Sequence, residues 1–172
     1  MNKKWRDEGR LPKHADSSRV QIFDVFILAI MGPGGTGKTA VLRMVEALTV
    51  FFAGPETVRK LAPSNAAARL LGGDTIHSLC KLPFGTANLR SKRGRLADHA
   101  LCRHRKQWRK AIQAFSDEVS MVSADQFLQC DVRLRQAKMQ PNMRFGNLAM
   151  NICGDFLQLP PVDKHEPCST RG

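Results

Sequence analysis

The sequence predicts an α/β fold, a parallel β-sheet flanked by helices, on three observations. An unbroken apolar run, Phe26-Ile27-Leu28-Ala29-Ile30-Met31, leads into a glycine-rich stretch, after which apolar residues recur at helical spacing. A second apolar run, Leu148-Ala149-Met150-Asn151-Ile152-Cys153, again ends in a polar loop, Gly154-Asp155. Between the two, extended and helical stretches alternate, as in strands joined by crossover helices. Ligands of such sheets sit beyond the carboxyl ends of the strands, and the polar motifs of this chain fall at those ends.

Taken in order, residues 1–19 form a polar, basic lead-in, and Val20 to Phe26 reads as a helix end running into the first strand. The apolar run 26–31 suits a parallel strand covered on both faces. Gly32-Pro33-Gly34-Gly35-Thr36-Gly37-Lys38-Thr39 then fits the phosphate-loop pattern G-x-x-x-x-G-K-[ST]. Residues without Cβ let backbone N–H groups converge on a triphosphate, and the following helix adds its positive N-terminal dipole. Lys38 would reach the β- and γ-phosphates of ATP, and the Thr39 hydroxyl would take one coordination position on Mg²⁺. Nucleotide contacts are expected at Gly32, Gly34, Gly35, Thr36, Gly37, Lys38, Thr39 and Ala40.

The helix after the loop carries Val41, Met44, Val45, Leu48 and Phe52 as its apolar stripe, with Arg43 and Glu46 outside it, and Gly54-Pro55 stops it. Residues 57–62 read as a second strand, halted by Pro63. Ser64 caps a short alanine-rich helix that Gly72-Gly73 ends, and Thr75 begins another short element. Residues 81–110 hold ten Lys/Arg against one acid, Asp98, so this window carries most of the chain's formal charge of +12. It reads either as a solvated loop and helix face or as a track for phosphates, with Trp108 available to stack on a base.

At 172 residues the chain is one domain's worth, long enough for a core. Its basicity favours a polyanionic partner. No apolar run reaches 18 residues, so no membrane partner is expected, and the mixed-charge N-terminus suits neither a secretory signal nor a mitochondrial presequence. Five cysteines, odd in number and without C-x-x-C, point to free thiols in a reducing, intracellular compartment. His99, Cys102 and His104 lack the second spaced pair that a zinc site needs.

Asp117-Glu118 follows a further strand candidate, residues 111–115. The first acid can hold the Mg²⁺ shell opposite Thr39, and the second can orient or deprotonate the attacking water. Ser116 is polar where a buried strand would stay apolar, which a hydroxyl bonded to backbone can accommodate. In Gly154-Asp155-Phe156-Leu157-Gln158-Leu159-Pro160-Pro161-Val162, a glutamine at a strand end can touch both γ-phosphate and water, and the prolines stiffen the exit.

Taken together, GPGGTGKT, LAPSNAAARLLGGDTIHSL, DEVSM and CGDFLQLPPV resemble the Pif-type DNA helicases, superfamily-one 5′-to-3′ enzymes related to RecD. The resemblance covers about residues 20–163 and implies a RecA-like ATPase domain, a P-loop NTPase that couples Mg·ATP hydrolysis to tracking and unwinding DNA. Lys38, Asp117, Glu118 and Gln158 would then be catalytic, with Thr39 and Asp117 on the metal and Gln158 sensing the γ-phosphate. Pro63, Ser64, Asn65, Thr75 and His77 would lie near the backbone of single-stranded DNA. Repair, recombination and genome maintenance, telomeres included, are the family's expected settings. In a eukaryote the family implies the nucleus, or else the mitochondrion.

The chain departs from the family in three places. Gln21 is the nearest candidate for an adenine-reading glutamine, at an unusual spacing. Ser64-Asn65 stands where the family often has Thr-Gly. The sequence stops at Gly172, so the second RecA-like domain with its arginine fingers is expected to be missing. Two other readings compete: a nucleic-acid-binding remnant without useful catalysis, and a P-loop ATPase acting on something other than DNA. Arginine fingers contribute about 10³–10⁵ in turnover. The 172-residue chain is therefore expected to bind ATP, hydrolyse it slowly and leave duplexes intact; robust unwinding in a strand-displacement assay overturns this.

Overall fold

The strands among the described residues are short, and all of them point the same way. The computed structural model describes residues 26–83 and 96–157. The strands are β1 (Ile27–Met31), β2 (Val58–Ala62), β3 (Asp74–Thr75), β4 (Gln113–Ser116) and β5 (Ala149–Gly154). They form one sheet in the order β1-β5-β4-β2-β3, every neighbouring pair parallel. Parallel neighbours require crossovers. These are supplied by α1 (Lys38–Ala53), α2 (Asn65–Leu71), α3 (Ile76–Cys80), α4 (Asp98–Trp108) and α5 (Ala124–Lys138). The parallel α/β class read from the sequence is the class observed.

Alternation along the strands sends side chains to two cores. On one face Leu42 and Val45 of α1 meet Val58, Phe115 and Cys153. On the other, Leu79, Trp108 and Leu134, from α3, α4 and α5, cover Leu61, Ala114 and Met150. Trp108 is fully buried, and its indole N–H donates to the Leu79 carbonyl at 3.3 Å. Truncating a tryptophan so enclosed generally costs about 3–5 kcal/mol. The expectation that Trp108 stacks on a base is thereby corrected: it is a core residue.

Two further expectations are corrected. The run 26–31 is not covered on both faces. Among the described residues β1 pairs only with β5, at the edge of the sheet, and Ile27 and Met31 are exposed. Of the expected stripe Val41, Met44, Val45, Leu48 and Phe52, only Val45 packs into the core beneath α1; the other four do not. All four are exposed, whereas Leu42, one position on, is buried. A helix rich in apolar residues has more than one candidate stripe, and its rotation is set by the sheet beneath it. Thr49 bonds Gln113 at the start of β4, and Glu46 pairs with Lys60 of β2 at 3.0 Å, so these polar contacts share the sheet-facing side.

Helix termini follow the local chemistry. Ser64 caps α2 by accepting from the Ala67 amide, and Gly72 closes it in the left-handed conformation. Ser123 and Gln126 bond reciprocally across the first turn of α5, a capping box whose S-x-x-Q spacing stands in the sequence. The C-terminal carbonyls of α4 are satisfied by cations. Lys138 donates to Trp108, Arg109 and Ala111, and Arg59 donates to Gln107. The Val20 to Phe26 reading, the lead-in 1–19, the tail 164–172 and Gln21 lie outside the described residues, apart from Phe26 itself.

His104 on α4 is buried beside Trp108, their ring centroids 6.3 Å apart. Burial, more than the nearby charges of Arg133 and Lys81, lowers its pKa to about 4. The unfolded chain therefore takes up a proton that the folded chain refuses. The stability contributed by the neutral ring is complete above about pH 6.5 and is lost as pH falls toward 4. His104→Gln is expected to remove about 2–3 kcal/mol of the stability lost between pH 7 and pH 4, read from urea unfolding at both values. Parallel pH profiles for the two proteins would show that His104 does not titrate with unfolding.

Candidate nucleotide and nucleic-acid site

The glycine-rich loop leaves β1 and turns over the end of β5, where the Gly32 amide donates to the Gly154 carbonyl at 3.3 Å. Gly35 and Gly37 have φ of 77° and 85°, the left-handed region that glycine occupies without strain. A Cβ at either would point into open space, so the demand the protein itself makes is conformational. Gly37 caps α1 without a side-chain bond, and no acid stands in the first turn. That helix start is free to serve an anion. Lys38 folds back and donates to the carbonyls of Gly32 and Pro33 at 2.7 and 2.8 Å. Its charge thus has only neutral partners there.

Thr39, at the start of α1, donates its hydroxyl to Asp117 Oδ2 at 3.1 Å, although 78 residues separate them. Asp117 follows β4, and its other oxygen accepts from the Glu118 amide at 2.9 Å. Glu118 is left-handed, with φ 54° and ψ 40°. A non-glycine residue held there costs roughly 1–2 kcal/mol, a strain that clusters at functional turns. The Glu118 side chain lines the same cavity. Asp155, just past β5, is buried and accepts from the Leu157 amide at 3.0 Å.

These groups enclose a cavity of about 330 Å³ lined by Gly34, Gly35, Thr36, Gly37, Lys38, Thr39, Asp117, Glu118 and Asp155. The structure therefore unites six of the eight expected nucleotide contacts with both acids. Gly32 contributes its carbonyl to Lys38, and the Ala40 amide is spent on Gly37 within the first turn. Asp155 lines the cavity but was not among the expected site residues. Its signal was its place as the first polar residue after a strand. Gln158 lies outside the described residues.

Three carboxylates against one ammonium repel a triphosphate unless a cation accompanies it. The donor set fits Mg²⁺. Its bonds of 2.0–2.1 Å at right angles place adjacent oxygens about 2.9 Å apart, close to the 3.1 Å between Thr39 and Asp117. Among the described residues no three His, Cys, Asp or Glu side chains could together hold a metal. Such a cation would complete its shell with phosphate and water, as Mg²⁺ commonly does. Cys153, buried near Asp117, has its thiol pushed up to about 11, chiefly by burial, so it is no nucleophile here.

The carboxyl edge of the sheet continues from β4 to β2 and β3, where Pro63, Ser64, Asn65, Thr75 and His77 stand. Ser64 and Thr75 both cap helices, each accepting a backbone amide at 3.2 Å. Asn65 is exposed and His77 half-buried. The basic window behaves differently. The Ile112 amide bonds the Thr57 carbonyl, and Arg59 reaches Gln107, which places the end of α4 at the amino edge of the sheet. Arg109 and Lys110 are therefore at the edge opposite the nucleotide cavity. Residues 84–95 of the window lie outside the described residues. His99 and Cys102 are exposed whereas His104 is buried, so the three do not converge.

Lys38→Ala is expected to weaken Mg·ATP binding about 10–100-fold, the range for a lost charge-assisted bond. Thr39→Val is expected to abolish the Mg²⁺ dependence of binding while leaving magnesium-free nucleotide binding nearly unchanged. Titration of a fluorescent ATP analogue with and without Mg²⁺ checks both, and an unaltered magnesium effect in Thr39→Val refutes the metal assignment.

Comparison with known proteins places this geometry. Residues 17–170 match the family model described as PIF1-like helicase. The chain is 34% identical to the ATP-dependent DNA helicase PIF1 of Danio rerio over 134 residues, which cover 77% of this chain and 20% of that protein. It is 35% identical to the Homo sapiens protein of the same name over 133 residues, 77% of this chain and 20% of that one. Among solved structures, the Bacteroides Pif1 helicase in complex with ADP-AlF3 and ssDNA matches with TM-score 0.67 and 28% identity. The match covers 84% of this chain and 32% of that one. Pif1 helicase from Candida albicans matches with TM-score 0.65 and 27% identity, over 81% of this chain and 31% of that one. The chain thus spans about a fifth of the length of the curated relatives it matches.

Proposed function

Because this chain belongs to the PIF1-like helicase family and has its RecA-like fold, we propose that it is the Mg·ATP-binding part of a 5′-to-3′ DNA helicase. The observation that carries this reading is the meeting of Thr39 and Asp117 beside the left-handed loop glycines. In the proposed mechanism the loop amides and Lys38 hold the β- and γ-phosphates. Thr39 and Asp117 hold Mg²⁺, which supplies Lewis-acid neutralisation of phosphate charge. Glu118, aimed into the cavity by its left-handed backbone, orients the attacking water and accepts its proton. Gln158 is assigned to the γ-phosphate.

Single-stranded DNA is the proposed second ligand, crossing the carboxyl edge at Pro63, Ser64, Asn65, Thr75 and His77. On this reading nucleotide and strand share one edge of one sheet. A change in the Asp117–Glu118 loop can reach the strand through β2, since the Asp117 amide bonds the Leu61 carbonyl at 3.3 Å. Repair, recombination and telomere maintenance, residues 20–163 as the ATPase domain and, in a eukaryote, a nuclear or else mitochondrial site are part of the proposal by family likeness. The Bacteroides Pif1 helicase solved in complex with ADP-AlF3 and ssDNA, a relative of this chain, is consistent with both proposed ligands.

The test is Mg·ATP turnover by the 172-residue chain with and without a single-stranded oligonucleotide, beside Glu118→Gln. Single strands are expected to raise turnover, and Glu118→Gln to lower it by about 10²–10⁴-fold while retaining ATP. Oligonucleotide affinity is expected to fall with salt at a log–log slope near −0.7 per phosphate contact. Salt-sensitive DNA binding with no turnover in either protein would favour a non-catalytic remnant.

A further inference from the structure

Away from the nucleotide cavity two thiols lie against each other in the core: Cys80 Sγ and Cys130 Sγ are 2.9 Å apart. Cys80 is the last residue of α3, and Cys130 stands near the middle of α5; both are buried. Fifty residues separate them, so the fold and not the local chain brings them together. We propose that Cys80 and Cys130 are an oxidisable dithiol, closed to a disulfide by a disulfide oxidant such as oxidised glutathione, which staples α3 to α5. The proposal is independent of the helicase reading.

The geometry needs little change. A disulfide holds its sulfurs about 2.05 Å apart, so the pair must close by roughly 0.9 Å. The other described cysteines are not rivals. Cys153 belongs to the core on the opposite face of the sheet, and Cys102 is exposed on α4. The hydrogen bond with Cys130, and then burial, push the Cys80 thiol well up, against the nearby positive charges of Arg133 and Lys81. Cys80 is therefore held as the thiol and slow to react while buried, and oxidation proceeds when α3 opens. That helix has five residues, too few to be stable by itself, so it opens only when its packing against α4 and α5 is released.

The step balances. One cysteine thiolate attacks a sulfur of oxidised glutathione, forming a mixed disulfide and releasing one glutathione thiolate. The second cysteine thiolate then displaces the other glutathione. Two electrons pass from the cysteines to the oxidant, and the two cysteine protons end on two molecules of reduced glutathione. The staple would fix the short segment that begins with Thr75 and His77 against α5.

The experiment uses the 172-residue chain carrying Cys102→Ser and Cys168→Ser, oxidised with glutathione disulfide, alkylated under denaturing conditions, digested and weighed. One linked peptide pair joining Cys80 to Cys130 is expected, about 2 Da lighter than the two reduced peptides, and only Cys153 should remain alkylatable. The melting temperature is expected to rise by roughly 5–10 °C and to return on reduction. Cys130→Ala in the same background is expected to lose both the link and the shift. Cys80 and Cys130 remaining alkylatable after oxidation overturns the proposal, as does a lasting glutathione adduct without closure, or a link to Cys153.

Discussion

The end of β5 has to be bare. A Cβ at Gly154 would come within 2.9 Å of a Val119 methyl and 3.0 Å of the Ser120 amide. Without it, the turn after Glu118 settles directly over the strand, and the Gly154 carbonyl still takes the first amide of the phosphate loop. β5 separates β1 from β4, so Thr39 and Asp117 arise two strand spacings apart, roughly 10 Å at 4.8 Å per step. Only close packing across the intervening strand lets a hydroxyl and a carboxylate meet at 3.1 Å. The nucleotide cavity depends on that missing side chain before it depends on any acid or base.

Much of this was legible in the residues. Phosphate loops need left-handed backbone at set positions, so their glycines and lysine announce themselves in sequence, and acids after an apolar run lie at the carboxyl edge of a parallel sheet. Caps were equally readable: Ser64 and Gly72 bound α2 as expected. What could not be read were choices made by tertiary packing. The rotation of α1, the place of β1 at the edge and the burial of Trp108 each depend on which neighbour arrives. Periodicity does not report that. Ser116 shows the same limit. Its hydroxyl is buried and has no hydrogen-bond partner among the described residues, so the backbone bond that would accommodate it is not formed there.

Charge in this protein has two separate employments. Some cations are structural: Lys138 and Arg59 complete the carbonyls at the end of α4, and Arg135 pairs with Asp131 at 2.7 Å. Asp131 also accepts from the Phe145 amide, so one carboxylate ties the 144–146 turn to α5. Others, such as Arg103, Lys106 and Arg109, are exposed. A formal charge of +12 is thus partly a description of how helix ends are closed and only partly one of surface potential.

The exposed apolar side chains of β1 and α1 give that surface potential a colloidal role. Phe26, Met44, Leu48, Phe51 and Phe52 are each more than half exposed, and a strand edge that is unpaired among the described residues, beside such residues, favours association between chains. Mutual repulsion between strongly basic molecules opposes it, but its reach shrinks from about 30 Å at 0.01 M salt to 3 Å at 1 M. Concentrated salt, which usually quiets a basic protein by freeing it from polyanions, should here bring its chains together.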